Sequence, residues 1–163
     1  MATEIERKFL LSDTAFLNGL SGQRICQGYL SHSPEAAVRV RIAGEQGFLT
    51  IKGGSTGISR AEFEYSIPLA DADALLALCK HGKIEKTRYR VPSGSHVWEI
   101  DVFEGDNHGL VVAEIELTSE QEQFERPAWL GEEVSNDPRY FNSQLSIRPI
   151  SVWHDQDCHK SFF

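Results

Sequence analysis

Charged and apolar residues alternate with a period of two along seven segments of this chain. In the first segment Glu4, Glu6 and Lys8 alternate with Ile5 and Phe9. The other six segments lie at 38–42, 49–52, 62–67, 86–90, 98–102 and 114–117. Successive side chains of a β-strand point to opposite faces, so this pattern predicts strands with one charged and one apolar face.

Turn signals and weaker patterns complete the prediction of the fold. Glycine- or proline-containing turns at 44–47, 53–57, 92–94 and 105–109 separate the segments. Such short connections favour antiparallel neighbours. An eighth strand is expected at 24–30, and helical patterns occur only at 13–20, 69–80, 119–124 and 138–145. The sequence therefore predicts an α+β fold in which an antiparallel sheet of eight strands is dominant.

Composition excludes several classes of protein. The 163 residues suit one domain, and 40% hydrophobic with 25% charged residues is typical of a globular chain. The net charge of -8 argues against a general nucleic-acid or anionic-membrane binder. Glu4 and Glu6 stand where a signal peptide is basic, and Cys26, Cys79 and Cys158 do not form a disulfide or zinc pattern. We therefore expect a cytoplasmic protein without nucleic-acid or membrane partners.

The charged faces of the strands carry the chemistry that this chain has to offer. Seven cations share these faces: Lys8, Arg39, Arg41, Lys52, Lys86, Arg88 and Arg90. Eight acids do so as well: Glu4, Glu6, Glu62, Glu64, Glu99, Asp101, Glu114 and Glu116. Any single ion pair among these residues is explained simply as part of the solvated polar face that a half-buried antiparallel sheet has. An eight-stranded sheet can close with either face inward, and an inward charged face needs a compensating ligand because buried unpaired charges are costly.

The order of the motifs resembles one known family. The chain reads EIERKFL from residue 4, RVR at 39–41, TIKGG at 50–54, RAEFEYSI at 60–67, KTRYR at 86–90, WEIDVFEG at 98–105, AEIEL at 113–117 and GEEVSNDPRYFN at 131–142. This set is similar to the CYTH superfamily, the triphosphate tunnel metalloenzymes. The resemblance implies a closed eight-stranded antiparallel barrel, a tunnel with its charged face inward and a few helices outside. It covers a domain at 1–145 and leaves 146–163 as a C-terminal tail of unknown role.

The resemblance also implies an activity, the metal-dependent hydrolysis of the terminal phosphate of inorganic triphosphate. Such a polyanion needs a dense group of Lys and Arg to replace its water, and carboxylates beside it need a divalent cation such as Mg²⁺ or Mn²⁺. Alternatives within the family are a thiamine or nucleoside triphosphatase and a CyaB-type adenylate cyclase. A catalytically silent polyphosphate-binding module is the alternative of another class. The sequence leaves the oligomeric state open, with a homodimer among the alternatives.

Residue roles follow from the resemblance, position by position. The expected metal ligands are Glu4, Glu6, Glu114 and Glu116, joined by Glu62, Glu64 and Asp101, the last as a group that orients a cation or metal-bound water. The expected substrate-binding residues are Lys8, Arg39, Arg41, Lys52, Lys86, Arg88 and, by strand parity, Arg90. The expected catalytic residues are Tyr29 and Lys8, which are alternative general bases; a strand aromatic in the core is an equally good interpretation of Tyr29.

Two further stretches have simpler interpretations. The sequence KGGSTG at 52–57 lacks the spacing of a phosphate-binding loop and is expected to be a hairpin turn. The metal-capable sequence HDQDCH at 154–159 lies outside the resemblance and is expected to be a solvated part of the tail.

Overall fold

A computed structural model describes residues 3–153, and the predicted solvated stretch at 154–159 lies outside this range. The strands are β1 (Thr3–Leu11), β2 (Gln23–Ser31), β3 (Ala36–Ala43), β4 (Gln46–Thr56), β5 (Ser59–Ile67), β6 (Ile84–Ser93), β7 (His96–Phe103), β8 (Val111–Glu116) and β9 (Leu130–Glu133). The α-helices are α1 (Leu69–Leu76) and α2 (Asn142–Leu145). Single 3-10 turns lie at Ala15–Leu17, Gly105–Asn107, Pro138–Tyr140 and Ile150–Val152.

Eight of the strands close into a barrel. The sheet runs β5-β4-β3-β2-β6-β7-β8-β1, and pairing of Thr3–Ile5 in β1 with β5 completes the ring. All pairings are antiparallel. The short strand β9 pairs with β1 at Phe9 and Leu11, beyond the point where β5 leaves β1. The predicted β-dominant α+β fold with a closed eight-stranded barrel is confirmed, with a ninth strand added.

Register brings the charged rows of neighbouring strands together on the inner face. Glu6 of β1 lies opposite Glu116 of β8, and Lys8 lies opposite Glu114. On the other side of β8, Glu114 lies opposite Glu99 of β7. Directly opposed residues of an antiparallel pair share a face of the sheet. Charged rows that are separate in the sequence therefore form one continuous lining.

The outer, apolar faces are covered by short segments of chain. Trp98 of β7 is fully buried, and its ring makes edge-to-face contacts with Phe9, Phe124 and Trp129 at centroid distances of 5.6, 5.8 and 5.4 Å. Such pairs stabilise the fold beyond the burial of their area. On the opposite side α1 packs over Val40 of β3. This cover leaves the charged faces directed into the lumen of the barrel.

One end of the lumen is closed by apolar residues. The inward rows of β1, β7 and β8 end in Leu10, Phe103 and Val112, which pack with Tyr140 and Leu145. All five side chains are at most 4% exposed. We call residues 138–145, which lie across this end, the plug. The lumen therefore has one closed end, and its charged lining lies between the plug and the open rim.

Several helices differ from the sequence prediction, for local reasons. The helix expected at 13–20 is one 3-10 turn, because the chain becomes extended at Asn18 and Gly19 has a φ of +88°. No helix forms at 119–124, where the Glu122 carboxylate accepts hydrogen bonds from the backbone N–H and hydroxyl of Thr118. The pattern at 138–145 is split by extended backbone at Phe141, and α1 ends at Leu76, earlier than expected.

Residues 146–153 continue past the plug and pack against it. Ile150 and Trp153 contact the apolar cluster at the closed end, and the Trp153 ring lies edge-to-face with Tyr140 at 5.4 Å.

In the described part of the chain, no helix has the length and apolar character that crossing a membrane requires.

Candidate active site in the barrel lumen

The barrel lumen contains a cavity of about 310 Å³ lined mostly by charged side chains. Fourteen of the fifteen charged residues of the predicted strand faces border it, and Asp101 lies just behind the lining. The cavity also touches residues without a predicted role: Ala37, Gly57, Ile58, Arg60, Ser135, Phe141, Asn142 and Ser143. Of these, Arg60 has the same strand parity as Glu62 and Glu64, so alternation alone can identify it.

Two cations near the closed end share one buried carboxylate. Asp101 accepts from Lys86 Nζ at 2.8 Å and from Arg88 Nε and Nη2 at 2.8 and 2.9 Å. Burial opposes ionisation of Asp101, but the charges of Lys86 and Arg88 outweigh it and hold the pKa of this carboxyl well below its usual range. Burial lowers the pKa of Lys86 to about 8, despite the attraction of Asp101. Asp101 therefore fixes the positions of both cations.

Two arginines of β3 keep free donors. Arg39 and Arg41 share the carboxylate of Glu64, at 3.5 and 3.3 Å. Their Nε atoms are buried and, within residues 3–153, have no hydrogen-bond partner; the same holds for Arg60 Nε. Burial, followed by repulsion from Arg39, lowers the pKa of Arg41 to about 10. Buried unpaired N–H groups of this kind indicate a missing acceptor, and three guanidinium groups favour a polyanion.

Carboxylates gather around the lysines of β1 and β4. Lys52 Nζ lies 3.0 Å from Glu4 Oε1 and 3.3 Å from Glu62 Oε2. Burial and the neighbouring charges of Glu114 and Glu4 raise the pKa of Glu6 well above its usual value. Burial and the charge of Glu4 raise the pKa of Glu62 in the same way. Mutual repulsion among these acids is the condition that a bound cation relieves.

The donor chemistry of this acidic set fits a hard divalent cation. Carboxylate oxygens are the ligands that Mg²⁺ and Mn²⁺ prefer. Among the residues described, no three Asp, Glu, His or Cys side chains are already grouped as a metal site. Lysines are interleaved with the acids instead: Lys52 contacts Glu4, and Lys8 lies 3.7 Å from Glu114. The acids therefore suit a metal chemically, while their present partners are ammonium groups.

The two predicted general bases both border the cavity. Tyr29 of β2 is 8% exposed and lines the lumen, with its ring 5.4 Å from that of His32. Lys8 Nζ donates to the backbone oxygen of Tyr140 at 3.0 Å and lies over the Phe141 ring.

Arg90, the substrate-binding residue expected from strand parity, lies at the rim. It pairs with Glu99 at 3.0 Å, and its side chain is 57% exposed. The predicted residues are thus collected around one cavity.

Most of the chain is similar in sequence to one protein family and to proteins named as inorganic triphosphatases. The CYTH domain profile matches residues 2–145. An inorganic triphosphatase of Acetivibrio thermocellus is 47% identical over 150 residues, covering 91% of this chain and 96% of that protein. An inorganic triphosphatase of Nitrosomonas europaea is 38% identical over 151 residues, covering 89% of this chain and 97% of that protein.

Solved structures show the same fold. A crystal structure of an inorganic triphosphatase matches with a TM-score of 0.65 and 34% identity, covering 90% of this chain and 96% of that one. A structure from Pyrococcus horikoshii matches with a TM-score of 0.54 and 18% identity, covering 71% and 79% of the two chains. At that identity the second match concerns the fold alone.

The lowered pKa of Lys86 predicts a pH dependence of anion binding. Below a pH of about 8 the ammonium is charged, and above it the charge is lost. We expect the dissociation constant for inorganic tripolyphosphate, measured by calorimetry in EDTA, to rise above this pH with a slope approaching roughly tenfold per pH unit. The terminal phosphates are already ionised there, with pKa values near 6, and do not oppose the trend.

Variants separate this effect from general charge loss. Lys86→Met removes the titration and leaves a flat dependence between pH 7 and 9. Exposed Lys80 lies outside the lining, so Lys80→Met retains the wild-type curve. A wild-type dissociation constant that stays level across this range would contradict the prediction.

Proposed function

Because this chain belongs to the CYTH domain family, we propose that it hydrolyses inorganic triphosphate to pyrophosphate and phosphate, using a divalent metal ion, inside the charged barrel. The observation that carries the proposal is the lumen lining. Buried guanidinium groups with free Nε donors lie beside a set of carboxylates that repel one another. A polyanion and a divalent cation compensate the two sets of charges together.

The size of the cavity supports an inorganic substrate. Its volume of about 310 Å³ is at the lower end of the range for small-molecule sites. A linear triphosphate carries about four to five negative charges near neutral pH. The lining offers seven predicted cations for these charges, and the closed end is filled by packed apolar side chains. A compact, highly charged anion therefore suits the lumen better than a nucleotide does.

Lysines and arginines of the lining would bind the triphosphate. We assign the triphosphate to Lys8, Arg39, Arg41, Lys52, Lys86 and Arg88, with Arg90 at the rim. Arginine forks bind phosphate oxygens in pairs, while lysines act as point charges. Asp101 positions Lys86 and Arg88, since both of its oxygens contact these cations. These two cations are therefore held in place before substrate enters, which lowers the entropic cost of ordering them on binding.

The metal would be held by Glu4, Glu6, Glu114 and Glu116, with Glu62 and Glu64 nearby. Mg²⁺ and Mn²⁺ both suit these ligands. When bound, a divalent ion supplies Lewis-acid polarisation of phosphoryl oxygens. Glu6 is the best placed of the four to gain from it, because its charge is the most disfavoured by burial and by its neighbours.

Hydrolysis also needs an acceptor for a proton of the attacking water. Tyr29 and Lys8 both line the cavity and are the two candidates on this chain. Tyr29 would accept the proton as the phenolate, and Lys8 only as the neutral amine, in which form it does not bind phosphate as a cation. The attacking water forms a bond to the terminal phosphorus, the P–O bond to the bridging oxygen breaks, and pyrophosphate leaves with that electron pair. The lining holds the reacting groups in place, and such positioning lowers the barrier.

A phosphate-release assay tests the proposal directly. With Mg²⁺ or Mn²⁺ we expect kcat/KM for tripolyphosphate to exceed those for ATP, thiamine triphosphate and pyrophosphate by about tenfold or more. Pyrophosphate has one phosphate group fewer to contact the lining cations, and the other two carry a bulky group. No phosphate release from any substrate by folded protein would contradict the proposal. A preference for ATP or thiamine triphosphate would favour the corresponding alternative, and formation of cyclic AMP would favour a cyclase.

Carboxylate variants test the metal assignment. Glu4→Gln and Glu116→Gln keep the size of each side chain but remove its charge, so we expect metal-dependent turnover to fall by about 100-fold or more. The free energy of unfolding in urea should stay level or rise for Glu116→Gln, because burial and the charge of Glu4 raise the pKa of Glu116 and so disfavour its charged form. It should fall modestly for Glu4→Gln, which loses the 3.0 Å ion pair with Lys52. Exposed Glu45, in the turn between β3 and β4, provides the matched control Glu45→Gln. Full turnover by either lumen variant would show that its carboxylate is not a ligand.

A further inference from the structure

The plug contributes one polar side chain to the closed end of the lumen. Asn142, the first residue of α2, borders the cavity. Its Oδ1 accepts from Lys86 Nζ at 3.0 Å and from Gln27 Nε2 at 3.3 Å. Gln27 and Lys86 are at most 1% exposed. The amide is therefore held between two buried groups of different strands.

The contact with Lys86 fixes which way the amide points. An ammonium group has three donors and no acceptor, so the Asn142 atom that faces it must be the oxygen. The same oxygen then takes the Gln27 N–H. The Nδ2 group, with its two N–H donors, is left on the other side of the amide. Within residues 3–153 it has no hydrogen-bond partner, although Asn142 lines a cavity full of charged groups.

The neighbouring residues of the plug touch a second lysine of the lining. Lys8 Nζ donates to the backbone oxygen of Tyr140 at 3.0 Å, and Phe141 lies beneath it with its ring centroid 5.7 Å away. Three consecutive plug residues thus contact the ammonium groups of β1 and β6. This arrangement places the free Asn142 donors beside Lys86 and close to the groups that we assign to phosphate binding.

We infer that Asn142 is a substrate-binding residue, whose Nδ2 donates hydrogen bonds to the terminal phosphate that reaches the closed end of the lumen. The inference rests on the proposed function and deepens it. Lysines attract any anion, whereas a neutral donor that is fixed in place binds only an oxygen at one position. A terminal phosphate offers three non-bridging oxygens, so Lys86 and Asn142 can bind the same group together. The plug then fixes the depth of the substrate as well as closing the barrel.

A spectroscopic experiment distinguishes this role from simple anchoring of the plug. In a ¹⁵N-labelled protein in EDTA, titration with tripolyphosphate should move the side-chain amide resonances of Asn142, identified by their loss in Asn142→Leu. The Nε–H resonances of Arg39 and Arg41 should move as well, since they report binding itself. The amide of Gln144, which does not line the cavity, is the internal control.

The outcomes separate the two proposals. Arginine and Asn142 resonances that move together support the inference. Arginine resonances that move while those of Asn142 stay in place would overturn it and leave the proposed function standing. No movement of either set, in EDTA or with Mg²⁺ and the hydrolysis-resistant imido analogue of triphosphate, would contradict both.

Binding measurements provide a second test. A hydrogen bond to a charged group is worth about 1.5–3 kcal/mol, so Asn142→Leu should weaken tripolyphosphate binding in EDTA by roughly tenfold to 100-fold. The matched variant Gln144→Leu, in the same helical turn, should stay within about twofold of wild type. In turnover assays Asn142→Leu should raise KM more than it lowers kcat. Unchanged binding by a folded Asn142→Leu protein would overturn the inference.

Discussion

The ion pairs of Asp101 are the contacts on which the rest of the site depends. This carboxylate is 2% exposed and contacts Lys86 and Arg88 at 2.8 Å. The closed end of the lumen is apolar, so the two cations there need a buried carboxylate beside them. Removing one member of a buried ion pair costs about 3–5 kcal/mol of stability. With Asp101 in place, one negative charge serves two positive ones. Arg88 also lies 3.2 Å from Glu99 and 3.6 Å from Glu114, so a terminal phosphate that reaches this end meets cations that are already held in place.

Charge is divided between the lumen and the outside of the barrel. The chain has a net charge of -8, which argues against a polyanion ligand if it is taken as a property of the whole surface. The inward rows, with seven cations and eight acids, are nearly balanced before a metal binds. Most of the net negative charge therefore lies outside these rows. A divalent cation on the carboxylates turns the lumen positive overall, which strengthens the binding of a triphosphate beyond what the lysines and arginines provide alone.

The period-two rows predicted most of the architecture, because strand parity decides which side chains share a face. They named fourteen of the residues that border the cavity, although the choice of the inward face rested on family resemblance. Parity also applies to Arg60, which the prediction omitted. Asn142 has no such signal, since it lies in a four-residue helix whose position depends on packing of the plug. Strand β9 has only four residues and no alternation, and it forms where β5 leaves the side of β1.

The most direct test is a crystal structure with Mn²⁺ and the imido analogue of triphosphate, whose P–N–P bridges resist hydrolysis. The anomalous signal of manganese locates the metal independently of the phosphates. We expect a manganese peak in the lumen, with Glu4, Glu6 or Glu116 oxygens at about 2.1 Å. We also expect the analogue to extend from these acids to Lys86. Manganese or analogue bound only outside the barrel, with the lumen filled by water, would contradict the central claim that the inward charges bind a metal triphosphate.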